Sequence, residues 1–314
     1  GTYITNVYNG TTLLGTATDA TPYTGLFVEG SLIQLDIDSP ITDGSKRFVF
    51  TQWSGDATGT GRPVSVTMNS AKDITAHYKT QYQITVTASP IGAQGGTFKV
   101  TYTQCGTTYT NVLKTTPWTD WADASTTVTV SEPQDIINVS PGMRYKFDYY
   151  SPSNSVSMDN TKTITLVYKT QYYLTVDTNP AEVLTLNPAA VSGEGWYDSG
   201  FTATVDAVQN VDKVSGQSRY DFRSWTDATP TGVGNQATVY MDGPKTATAN
   251  YQLQYKLTVR TNGLGTKVTN VYDGITVLGT ATDATPFTGW FDQNAVIQLD
   301  IDSPIYGSPT RYVF

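Results

Sequence analysis

The stretch ITAHYKTQYQITV, Ile74 to Val86, decides the fold. Ile74, Ala76, Tyr78, Tyr82, Ile84 and Val86 fall on one side of an extended chain, and Thr75, His77, Lys79, Gln81, Gln83 and Thr85 on the other. A period of two is the signature of a half-buried β-strand. The same pattern returns from Ile164 through Val176, with Thr170 as the one polar residue on the apolar side, and from Ala247 through Val259. At about 3.3 Å per residue, thirteen residues reach roughly 43 Å, longer than an ordinary strand, so each stretch is expected to serve two sheets in turn. A kink near Lys79, Lys169 and Gln252 is the alternative.

Around each stretch lies a repeated frame. The segments VTMNSAKDITAHYKTQYQITV from Val66, VSMDNTKTITLVYKTQYYLTV from Val156 and VYMDGPKTATANYQLQYKLTV from Val239 share one pattern. Upstream of them stand RFVFTQW (Arg47 to Trp53), RYKFDYY (Arg144 to Tyr150) and RYDFRSW (Arg219 to Trp225), with RYVF at Arg311 to Phe314. Further upstream come GLFVEG at Gly25, GWYDSG at Gly195 and GWFDQN at Gly289, of which the middle unit keeps only WAD at Trp121. Residues 265–314 align without a gap on residues 1–50 with 32 of 50 identical. The expectation is an all-β chain of small β-sandwich-like, immunoglobulin-like modules of about 80–90 residues, stacked end to end as an elongated rod. The boundaries fall at 1–80 (a module lacking its first strand), 81–170, 171–254 and 255–314 (partial, a near-copy of the first). No Gly or Pro interrupts the junctions, so they are not slack linkers.

Composition agrees. Of 314 residues, 54 are Thr and 21 Tyr, only 15% are charged, and Glu occurs at positions 29, 132, 182 and 194 alone. Such a chain favours pleated sheet over helix; EPQDIINVS from Glu132 is the one helical hint. One His and one Cys exclude His- or Cys-based metal cages and an internal disulfide framework. A net charge of −8 with no basic run argues against nucleic acid, and no apolar stretch is long enough to span a membrane. No cofactor is expected, and no carboxylate pair in a unit-specific loop suggests an enzyme.

The order of these motifs resembles the divergent internalin-type B-repeats of bacterial and archaeal cell-surface proteins, across all three units and the partial fourth. That resemblance implies secretion, a stalk or adhesive role, and no catalytic residues to carry over.

Individual residues are weighed in that light. Met68, Met158 and Met241 are expected to pack with Trp53, Tyr150 and Trp225 as structural core. Asp36 and Asp38, repeated as Asp300 and Asp302, read as solvated acids, with a calcium ion shared with Asp43 as the alternative. His77 reads as an exposed strand residue and Cys105 as an unreactive thiol, although a Cys near a Gln also occurs in internal thioesters. Lys72, Lys162 and Lys245 read as turn lysines, with Lys–Asn isopeptide bonds as the alternative. Asn9 and Asn138 lie in glycan sequons, and the many Thr offer O-linked sites. Arg47, Arg144, Arg219 and Arg311 are expected to partner an Asp or an aromatic face.

The function expected is a non-enzymatic extracellular structural protein: a polymeric stalk, fibre or filament component of the cell surface. Its partners are copies of itself, assembled by strand addition or as neighbours in a longer tandem polypeptide, because the ends of the sequence cut through modules. The alternative is a surface glycoprotein or adhesin that binds glycans through non-recurring aromatics such as Tyr109 and Trp118.

Overall fold

The structure is a computed structural model that describes residues 5–18, 20–261, 269–282, 284–301, 305–307 and 310–312. Strands dominate it. The polypeptide forms two compact units, one from residues 1–139 and 144–169 and the other from 140–143 and 170–314.

In the first unit, an antiparallel sheet ordered Thr12–Ala17, Thr5–Asn9, Leu32–Ile37, Val64–Thr67 faces the strands Lys46–Gly55 and Ile74–Ser89. Val7, Ile33, Leu35, Ile37 and Val66 come from one sheet and Trp53, Ile74, Ala76 and Tyr78 from the other, and together they form one core. Alternation explains this: every second residue of Leu32–Ile37 is buried because the pleat turns it inward. A bulge between Phe50 and Gln52 interrupts the Lys46–Gly55 ladder. The following repeat has the sheet Ser155–Ser157, Thr127–Ser131, Thr97–Gln104, Thr107–Thr115, with Ile84, Val86, Phe98, Val100, Val128 and Val130 all fully buried.

In the second unit, the sheet Val191–Ser192, Thr202–Ala207, Ala237–Tyr240, Thr229–Pro230 faces strands that include Ser218–Thr226 and Lys245–Val259. Their shared core includes Val176, Ala203, Val205, Trp225, Val239, Met241 and Ala249. A bulge between Phe222 and Ser224 repeats the one at Phe50/Gln52. The last repeat contributes Thr276–Ala281, Thr269–Asp273 and Ile297–Ile301 as a separate three-stranded sheet. In the first and third repeats two facing sheets thus share one core.

The long strands are where the repeats join. Ile74–Ser89 is one strand of 16 residues. Its first part pairs antiparallel with Lys46–Gly55, and its last part pairs antiparallel with Trp118–Asp123 and parallel with Lys162–Val167. Lys245–Val259 does the same, pairing with Ser218–Thr226 and Leu174–Asn179, then with Phe287–Asp292. Lys162–Asn179 runs for 18 residues, of which 162–169 belong to the first unit and 170–179 to the second.

One expectation fails outright. The segment with the helical hint contains the strand Ile136–Ser140, because Ile136, Ile137 and Val139 are β-branched. Among the described residues the α-helix is instead Glu182–Leu186, which opens just after Pro180 with an acid in its first turn.

Candidate functional site: a clasp at the repeat junctions

Where Ile74–Ser89 passes from one repeat to the next, Gln81 is fully buried. The period-two reading had put it on the polar, solvated side. It is covered because two elements converge on that side at the crossing. Lys46–Gly55 brings Arg47 opposite Gln81, and Trp118–Asp123 brings Asp123 opposite the same residue from the other edge. Arg47 Nε donates to Gln81 Oε1 at 2.7 Å, and Gln81 Nε2 donates to Asp123 Oδ1 at 2.6 Å. The Arg47 guanidinium lies over the Trp121 ring, 4.8 Å from its centroid. Asp123, 2% exposed, also accepts the backbone N–H groups of Cys105 and Gly106, each at 2.8 Å, and pairs with Lys79 at 3.1 Å.

The arrangement recurs at the third junction. Arg219 Nε donates to Gln254 Oε1 at 3.0 Å, Gln254 Nε2 donates to Asp292 Oδ1 at 2.9 Å, and the Arg219 guanidinium sits 4.4 Å from the Trp290 centroid. Gln254 is 7% exposed. Here Arg223, which also pairs with Asp221, supplies the second cation to Asp292. It stands on the aromatic strand, whereas Lys79 stands on the junction strand. In the second unit Gln171 faces Asp198 across the strands and donates to Oδ1 at 2.8 Å.

The electrostatics follow from this packing. Burial alone would raise the Asp123 carboxyl, but hydrogen bonds from Gln81, Gly106, Lys79 and Cys105 outweigh it and hold the group below its ordinary value. Burial lowers Arg47 from its ordinary value, opposed by Cys105, Asp120 and Asp123. The Gln81 amide bridges cation and anion with both its oxygen and its nitrogen. Chemically the clasp is a satisfied polar network that fixes the first strand of one repeat against the aromatic strand of the repeat before it.

Two further contacts recur. Met68 N–H donates to Ser31 O and Met68 O accepts Gly30 N–H; Met158 pairs in the same way with Thr126 and Ser125, and Met241 with Phe201 and Gly200. Trp53 Nε1 donates to Gly61 O at 2.8 Å and Trp225 Nε1 to Asn235 O at 2.7 Å, so each indole pins a loop as well as filling the core.

The residues singled out in the sequence are placed as follows. Met158 and Met241 are fully buried and Met68 is half-buried; Trp53 and Trp225 are buried. Tyr150 is half-buried against Phe147, and burial pushes its hydroxyl up. Asp36 accepts the neighbouring Ile37 N–H, Asp38 and Asp300 are exposed, Asp43 pairs with Lys46, and Asp302 lies outside the described residues. No three His, Cys, Asp or Glu side chains cluster as a metal site among the described residues. Asn9 and Asn138 are exposed. His77 is exposed, with Nε2 2.6 Å from Ser54 Oγ. Cys105 Sγ lies 3.4 Å from Gln81 Nε2. Lys72, Lys162 and Lys245 pair with Asp56, Asp159 and Asp242. The Arg311 side chain lies outside the described residues. Trp118 packs edge-on to Phe98 and Tyr102, and Tyr109 stacks on Tyr102 at 5.1 Å.

No protein-family model and no curated protein matches the chain. Among solved structures, the Bacillus anthracis TIE protein shows a likeness with 9% identity and a TM-score of 0.27, covering 99% of this chain. The chain spans 63% of that structure's length. No helix among the described residues is long and apolar enough to cross a membrane.

Proposed function

We propose that the chain is a non-enzymatic, extracellular structural protein, a stalk, fibre or filament component in which repeats stack end to end as a rod, with further repeats of the same kind as its neighbours. The observation that carries this reading is the junction: one strand belongs to two repeats, and a buried Arg–Gln–Asp clasp on a Trp face locks the crossing.

The topology supports it. Within the second repeat, Ile84–Ser89 and Lys162–Val167 lie side by side and parallel; within the third, Leu174–Asn179 and Lys245–Asn250 do the same. Parallel first and last strands bring the chain in at one end of a sandwich and send it out at the other, so the next sandwich starts where the last one stops. A module with adjacent ends would fold back instead. Ordered, hydrogen-bonded backbone across the crossing transmits orientation from repeat to repeat. The Thr-rich, sparsely charged surface depends little on ion pairs that salt would screen.

Electron microscopy of the native material tests the proposal. Thin rods or filaments of constant width support it, and isolated globular particles overturn it.

A further inference from the structure

The outer edges of the sheets are guarded in some repeats and open in others. A free edge exposes N–H and C=O groups that can pair with another chain, and folded proteins blunt it with short strands, Pro or Lys. In the third repeat the edge strands are Val191–Ser192 and Thr229–Pro230, two residues each, the second ending in Pro. In the second repeat one edge is the three-residue Ser155–Ser157. Its other edge, Thr107–Thr115, carries Lys114, whose ammonium lies 5.7 Å from the Trp118 centroid across the rim. In the first repeat Val64–Thr67 follows Pro63 at one edge.

The remaining edge of the first repeat has neither Pro, charge nor shortness. Thr12–Ala17 is six residues long and pairs with Thr5–Asn9 alone among the described residues. Leu13 and Leu14 are exposed on it, and residues 1–18 contain no charged side chain. The fourth repeat copies the arrangement. Thr276–Ala281 pairs with Thr269–Asp273 alone among the described residues, and Val277 and Leu278, exposed as well, stand where Leu13 and Leu14 do. Tyr8 faces Leu13 and Tyr272 faces Val277, with the same bulge beside each pair, so the two edges share one register. A bulge can turn an edge away from partners, but the extra residue here is an exposed leucine in both copies. The fourth repeat holds the strand Gln254–Val259 ahead of its hairpin, and the first repeat holds every strand from its own hairpin to Ile74–Ser89. The edge is open in both, so its exposure does not come from where the sequence starts or stops.

We propose that these two edges are lateral contacts between copies of this chain. Thr12–Ala17 or Thr276–Ala281 of one copy pairs antiparallel with the same kind of edge on another, and the exposed Leu and Val side chains pack across the seam. The occupant follows from charge. A chain of net charge −8 repels its copies over most of its surface, and two copies approach most readily where neither carries a charge. A basic partner would find no carboxylate on these strands to pair with, whereas two identical uncharged strands meet without like charges opposite each other. A six-residue strand is about 20 Å long, and its pairing is small beside the roughly 1,200 Å² of a stable interface. Each contact is therefore weak, and a chain that carries two gains by avidity. The inference deepens the structural reading and rests on it in one respect: rods that bear such edges gather side by side into bundles.

Sedimentation velocity and amide exchange on the full chain test it. Association should grow with concentration, strengthen when salt screens the net charge, and slow exchange at Thr12–Ala17 and Thr276–Ala281. Leu13→Lys combined with Val277→Lys, both at exposed positions, should melt like the parent and associate at least about tenfold more weakly. Leu113→Lys, exposed on the guarded edge of the second repeat, should leave association unchanged. A chain monomeric at every concentration and salt, association indifferent to the double variant, or an equal loss from Leu113→Lys would each overturn the inference. If the double variant melts lower, the parent decides: exchange at the two edges that does not slow with concentration overturns it. Micrographs of single rods that never bundle remove this contact and leave the structural reading in place. Globular particles remove that reading whether or not copies associate.

Discussion

Gln81 and Asp123 stand directly opposite each other on neighbouring antiparallel strands, with the Gln81 amide nitrogen 2.6 Å from Asp123 Oδ1. Gln254 and Asp292 repeat the relationship at 2.9 Å. The pair joins two sequence repeats across a shared strand, so its removal should loosen the junction before it disturbs either core. Gln81→Leu leaves Arg47 Nε without its acceptor and takes from Asp123 Oδ1 one of its two donors, the Cys105 N–H remaining. The expected loss is about 2–3 kcal/mol of stability in urea unfolding, with the core residues' exchange rates least affected.

Arg47→Lys keeps the charge but loses the planar face that lies on Trp121 and the Nε–H that reaches Gln81. A loss of about 1 kcal/mol is expected in thermal unfolding, together with a change in Trp fluorescence. Arg219→Lys should behave alike, because its geometry on Trp290 and Gln254 is the same.

The clasp also sets an acid limit. The Asp123 carboxyl is held below its ordinary value in the folded chain, so the unfolded chain takes up this proton first as pH falls. Its stabilisation is complete above the unfolded value of about 3.9 and is lost as pH falls through the lower folded value. Stability measured from pH 6 downward should therefore drop below about pH 4. Asp123→Asn should start less stable at pH 6 and show a shallower drop. An equally steep drop in the variant would show that other carboxylates set the limit.

Gly55 sits at φ +86°, and a Cβ there would lie 2.1 Å from the Asp73 carbonyl oxygen. Backbone atoms cannot give way as a flexible side chain can. Gly55→Ala is expected to cost more than about 2 kcal/mol and to lower the melting temperature. Gly10→Ala, at φ +61° with open space around it, should cost about 1 kcal/mol.

Trp118 separates the structural reading from the adhesive one. Its ring packs edge-on to Phe98 and Tyr102. Trp118→Ala should lower stability by about 2 kcal/mol, under the roughly 3–5 of a fully buried aromatic because part of the ring is wet. A variant that melts like the parent but loses binding on a glycan array would favour the adhesin.

The all-β class, the repeat frame and the length of the junction strands were legible because period-two alternation and recurring segments are local signals. The pairing of Arg47 with an aromatic face was legible for the same reason. The burial of Gln81 was not. Alternation assigns a side to each residue but cannot say that a second repeat will cover the polar side at the crossing. A signal was nonetheless present: Gln recurs at 81, 171 and 254, each just before a Tyr, and an Asp follows two residues after Trp121, Trp196 and Trp290. Read together, the two recurrences name both halves of the clasp. The helical hint at Glu132 misled because one Pro-flanked acid outweighed three β-branched residues that follow.

The central claim is that neighbouring repeats are held in a fixed orientation by the shared strand and its clasp. Spin labels at the exposed positions Ser65 and Asn138, in a Cys105→Ser background, report on the first junction directly. A single narrow distance distribution that broadens on Gln81→Leu is the predicted result. A distribution already broad in the parent chain and indifferent to Gln81 would contradict it.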